Sequence, residues 1–109
     1  MKDLTLREMC TAFGISRRAV QGYEKAGLVF ASGKNKRGHL LYDKPAQERV
    51  KQIKLFQQMG FTIREIRELI DAPNDILKPA LEKQLQNRIE EKENLDALIC
   101  KMYELLKQI

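Results

Sequence analysis

The chain of 109 residues has no tryptophan, one histidine, two cysteines and three prolines. His39, Cys10 and Cys100 are scattered along the chain, and neither cysteine belongs to a CxxC pair or any other metal-spaced cluster. No metal site is expected, and the cysteines read as reduced thiols: Cys10 in the core, Cys100 beside a helix seam. The same scarcity removes nucleophile–base pairs. With no glycine-rich phosphate loop and too little chain for a deep pocket, the sequence predicts neither an enzyme nor a cofactor. No apolar run approaches the roughly 20 residues of a membrane span. The opening MKDLTLREM also lacks the apolar region of a signal peptide. A cytoplasmic, nucleoid-associated protein without a membrane partner is expected.

What the chain has is positive charge, unevenly placed. The formal net charge is +5 and the pI about 9.3. Residues 1–60 carry 12 Lys/Arg against 5 Asp/Glu, whereas residues 61–109 carry 8 against 10, so the positive field belongs to the first half. A basic half suits a polyanion such as duplex DNA. The length is one domain's worth, small enough for a partner to complete the core.

In LTLREMCTAFG, the residues Leu6, Met9, Cys10 and Phe13 fall at helical spacing, with Thr5 and Glu8 as a capping box and Gly14 as a stop. Ser16 opens a second helix, anchored by Ala19, Val20 and Tyr23 and ended by Gly27. Two short helices across a glycine turn make a helix-turn-helix. From Leu28 to Tyr42, "LVF" and "HLLY" read as strands flanking the basic loop ASGKNKRG, a small hairpin or wing. A third helix starts at Asp43 and Pro45, with Val50, Ile53, Leu55, Phe56 and Met59 facing inward and Gly60 at its end. Thr62 and Glu65 cap a fourth, with Ile63, Ile66, Leu69 and Ile70 inward.

From about Asp75 the sequence predicts one helix of about thirty residues, with Pro79 tolerated in its first turn. Its apolar stripe runs Leu77, Leu81, Leu85, Ile89, thins at Lys92, and resumes through Leu95, Leu98, Ile99, Met102, Leu105, Leu106 and Ile109. Such a stripe needs a second helix; the alternative is a solvated helix packed on its own domain. The fold class is therefore mainly α: a winged helix-turn-helix domain over residues 1–72 and a long coiled-coil helix over residues 73–109. The dimerisation residues expected are Leu81, Leu85, Ile89, Leu95, Ile99, Met102 and Leu106.

The blocks YEKAGLV, RGHLLYD and MGFTIREIRELI, in that order and separation, resemble the MerR family of bacterial transcription regulators across essentially the whole chain. The resemblance implies a winged helix-turn-helix on each protomer and an antiparallel coiled coil between the long helices of a homodimer. It also implies a palindromic promoter site that is bent or untwisted, so that RNA polymerase engages both promoter elements. By position Arg18 matches the arginine near the start of the family's recognition helix, Tyr23 its backbone-contacting tyrosine, and Tyr42 the tyrosine closing the wing. The chain departs from the pattern at Gln21 and Gly22, where an arginine and an aromatic are usual, and at Leu40, which replaces a wing arginine. The family's sensor thiols and appended drug-binding domain have no counterpart, so the effector stays open, as does whether the chain is an autonomous regulator or the N-terminal part of a longer one.

In a recognition helix, Arg17 and Arg18 occupy the end that enters a major groove, where arginine donates two bonds to guanine; Gln21 suits adenine or a phosphate. Lys34, Lys36, Arg37 and His39 crowd the wing and suit phosphates, an ordinary solvated turn being the plain alternative. Gly22, costly inside a helix, is rationalised by close approach of its backbone to DNA or to a neighbouring helix. Two rival functions keep the same elements: an excisionase-like architectural DNA-binding protein, and a coiled-coil protein-interaction module.

Overall fold

Helix α1 (Leu6–Phe13) begins where Thr5 and Glu8 cap each other. Thr5 Oγ1 accepts from the Glu8 amide at 3.2 Å, and Glu8 Oε1 accepts from the Thr5 amide at 2.9 Å. The latter bond holds the Glu8 carboxyl below its ordinary pKa. In this computed structural model, which describes residues 2–109, Gly14 ends the helix in the left-handed region at φ 62°. Lys54 donates to the Phe13 and Gly14 carbonyls at 2.7 and 3.2 Å, so the orphan acceptors at the helix end are satisfied by a side chain. Ser16 Oγ caps α2 (Arg17–Lys25) through the Ala19 amide at 3.0 Å. The inner face of α2 buries Val20 and Tyr23.

The wing is shorter than the sequence suggests. Leu28 and Val29 are buried but not in a strand; the arm that pairs is β2 (Gly33–Lys34), antiparallel to β3 (Leu40–Tyr42). The physical reason is an alternative partner: Arg49 Nε takes the Leu28 carbonyl at 2.9 Å, so this apolar run enters the core without a neighbouring strand. Phe30, expected in the same arm, is 67% exposed. On the other edge of β3 lies β1 (Leu4–Thr5), which the sequence did not announce; Leu4 pairs with Tyr42 and Thr5 with Leu41. The sheet order is β1-β3-β2.

Asp43 caps α3 (Lys44–Gln58) by accepting from the Ala46 amide, and Pro45 sits in its first turn. Val50, Ile53 and Phe56 face the core with Ala46 and Gln47, but Leu55 is 49% exposed. Ile53 and Phe56 set the inward row, and Leu55 lies off it. Buried Gln47 donates to the carbonyls of Tyr42 and Lys2, fastening the sheet to α3. Helix α4 (Ile63–Leu69) has the second capping box, Thr62 with Glu65. It buries Ile66, with Phe61 and Ile70 beside it, while Ile63 and Leu69 are half-buried. The rings of Phe56 and Phe61 lie 5.7 Å apart.

The chain divides into two compact units, one ending at Asp71 and the other Ala72–Ile109. The second unit is α5 (Asn74–Gln108), 35 residues behind Pro73 at the cap position. Because it starts at Asn74, Pro79 falls in the second turn rather than the first, and its ring removes the N–H that would reach the Asp75 carbonyl. No residue of α5 is fully buried. Leu81 is half-buried, whereas Leu85, Ile89, Leu95, Ile99, Met102 and Leu106 are 40–65% exposed. No helix among the described residues is long and apolar enough to cross a membrane.

Candidate nucleic-acid interface

The outer face of α2 carries Arg17, Arg18, Gln21 and Gly22, all exposed. Among the described residues, neither guanidinium has a hydrogen-bond or ion-pair partner within the chain, so both keep a full set of donors. A Cβ added at Gly22 would meet nothing within 4 Å, so no neighbouring helix requires a glycine there.

The wing tip is held by one side chain. Asn35 Oδ1 accepts from the amides of Arg37 and His39 at 2.9 and 3.0 Å. The Asn35 amide in turn donates to the His39 carbonyl at 2.9 Å. Gly38 completes the turn at φ 81°, a conformation that excludes most other residues. This frame leaves Lys34 exposed at the end of β2, and Lys36, Arg37 and His39 exposed on the short turn that follows it.

Between the start of α1, the start of α2 and the wing lies an open groove of about 450 Å³, lined by Thr5, Leu6, Arg7, Arg17, Gly38, His39 and Leu40. It brings Arg17 and His39 together and leaves Arg18, Gln21, Lys34, Lys36 and Arg37 outside it. No carboxylate lines it. Arg7 is the residue that sequence reasoning missed. No local signal marks it, because its place beside the wing depends on the pairing of β1 with β3.

Tyr23 and Tyr42 are placed differently from the charged residues. Tyr23 is 2% exposed and its hydroxyl donates to Gln57 Oε1 at 2.5 Å. Tyr42 is fully buried and its hydroxyl donates to Glu24 Oε1. Burial raises both phenol pKa values, and the Glu24 carboxylate raises that of Tyr42 further. Both therefore stay protonated donors, and Tyr42 ties β3 to α2. Among the described residues, no group of three or more His, Cys, Asp or Glu side chains could hold a metal ion.

The chain matches the sequence profile of the MerR HTH family regulatory proteins over residues 4–73 and that described as "MerR, DNA binding" over residues 47–109. It is 39% identical over 83 residues to the nodulation protein NolA of Bradyrhizobium sp. (strain NC92), covering 76% of this chain and 34% of that protein. It thus spans about a third of the length of that relative. Its fold is similar to that of MtaN, the N-terminus of the Bacillus subtilis multidrug transporter activator, with TM-score 0.70 and 29% identity over 94% of this chain and 97% of that one. HiNmlR, a MerR family regulator lacking the sensor domain and bound to promoter DNA, shares the fold with TM-score 0.74 at 16% identity, covering 90% of this chain and 79% of that one.

Proposed function

The chain belongs to the MerR family of helix-turn-helix regulatory proteins, and from that premise we propose that it is a sequence-specific DNA-binding transcription regulator rather than an enzyme. The observation that carries this reading is the pair of exposed, unpartnered arginines in the first turn of α2, beside a wing of four exposed basic residues. Arg18 reads a base edge in the major groove, and Gln21 assists from the next turn. Lys34, Lys36, Arg37 and His39 hold phosphates and fix the register of the protein on the duplex. Tyr23 reaches the backbone by exchanging Gln57 for a phosphate, while Tyr42 serves the interface from inside by holding the wing to α2.

The apolar stripe of α5 pairs with a second copy in an antiparallel coiled coil, so the unit that binds DNA is a homodimer and its site a palindrome. Bending or untwisting of that site, action on RNA polymerase at a promoter, and a cytoplasmic place at the nucleoid follow as parts of the same proposal. Selection of bound sites from random duplexes tests it, with a dyad-symmetric motif expected. Duplex binding without any preferred sequence would favour an architectural role. No salt-sensitive binding would leave only the interaction module.

A further inference from the structure

We propose that Arg7 is a DNA-backbone contact, and that the groove between α1, α2 and the wing is a seat for one sugar-phosphate unit of the duplex; this rests on the DNA-binding reading above. Three basic side chains from three separate elements converge on it: Arg7 from α1, Arg17 from α2 and His39 from the wing. All three are exposed, and none is engaged by an acid within the chain among the described residues. Two guanidinium groups lining one groove without a carboxylate repel each other, and an anion entering between them relieves that repulsion while His39 offers a further ring nitrogen for a hydrogen bond.

The remaining lining sets the shape of the ligand. Leu6 and Leu40 add apolar surface beside the cations. A free inorganic anion would leave these leucines facing water. The sugar of a nucleotide covers them while its phosphate meets the guanidinium groups, so cationic and apolar lining together fit a deoxyribose-phosphate link.

The geometry also divides the two arginines of α2. Arg17 lines the groove and Arg18 does not, so Arg17 positions the helix through the backbone while Arg18 remains free to read sequence. Arg7 then supplies the cation on the side where the wing presents Leu40.

The test compares the wild-type chain with Arg7→Ala, Arg7→Lys and Lys36→Ala on the selected duplex and on a scrambled one, across a salt series. Arg7→Ala is expected to weaken both duplexes by the same factor, about tenfold, and to make the slope of log affinity against log salt less negative by about 0.9 for each protomer engaged. Arg7→Lys should keep the slope, because the charge is retained. A single uncharged methylphosphonate walked along each strand should find one position per half-site where Arg7→Ala costs nothing more. An unchanged slope in Arg7→Ala, with a reduced one in Lys36→Ala, overturns the groove and leaves the DNA-binding reading intact. Salt-insensitive binding by the wild type removes both.

Discussion

Gly22 stands in open space on the outer face of α2, so nothing inside the protein demands a glycine there. Gly22→Ala should therefore stabilise the fold by about 1 kcal/mol, the propensity difference inside a helix. Thermal unfolding measures that gain, and duplex affinity measured beside it decides the rest. A loss of affinity assigns the glycine to close approach of DNA, whereas equal affinity denies it any part in binding. At the neighbouring position, Arg18→Ala should cost roughly 1–3 kcal/mol of binding and relax preference at one base pair per half-site. Lys36→Ala should weaken all sequences alike, so identical specificity profiles for the two variants would refute the division between reading and positioning. Away from the interface, Arg49 donates to both oxygens of Asp71 at 2.7 and 2.6 Å. These hydrogen bonds hold the Asp71 carboxyl below the ordinary aspartate value. A depressed carboxyl contributes stability that is complete above about pH 4 and lost as pH falls through the folded value. Asp71→Asn should flatten that acid limb in denaturant titrations between about pH 2 and 5; an unaltered pH dependence would show the pair to be without thermodynamic weight.

The elements divide by how local their causes are. Thr5 with Glu8, Ser16, Asp43, and Thr62 with Glu65 cap their helices as their spacing suggests, because a cap needs only residues three apart in sequence. The strands were less legible. Strand β1 exists only because Leu4 meets Tyr42, a pairing that no window of the sequence contains. Leu28 and Val29 look like a strand, but the Leu28 carbonyl accepts from Arg49 of α3 instead of from a neighbouring strand. Leu55 shows the limit of apolar counting, since a helix face is set by the whole row and not by one leucine. The site follows the same division. The wing and α2 cations could be read from charge and turn chemistry, whereas Arg7 joins them only through the fold. The wing turn itself hangs on Asn35, whose Oδ1 takes two amides. Asn35→Ala should loosen the tip, speed hydrogen exchange at Arg37 and His39, and lower affinity for all duplexes. The melting temperature should change little, because the tip is exposed; unchanged exchange would show the backbone turn to be sufficient alone.

For the molecule as a whole, the proposed dimer places two wings and two recognition helices on one duplex. If about eight phosphates are neutralised, log affinity should fall against log salt with a slope near −7, and a slope near zero would remove the wings from the interface. The arrangement of the helices has its own test. An antiparallel pair crossing near Lys92 sets Arg88 against Asp96, while a parallel pair sets Arg88 against Arg88. At 1.5 Å per residue, the antiparallel pair holds the two exposed Cys100 thiols about 24 Å apart. A disulfide tolerates Cα separations only up to about 7 Å, so mild oxidation of a dimer verified by scattering should give no crosslink. Efficient crosslinking would overturn the antiparallel order. The exposed apolar stripe of α5 also bears on how long the chain survives. No residue of that helix is fully buried in the single chain, so in the proposed dimer its protection would come from a second copy, and mass action would make that protection depend on concentration. If that dimer forms, a diluted chain would present its leucines to proteases and abundance would set half-life; limited proteolysis across a dilution series should then show faster cleavage of α5 at low concentration, and a concentration-independent rate would count against the pairing.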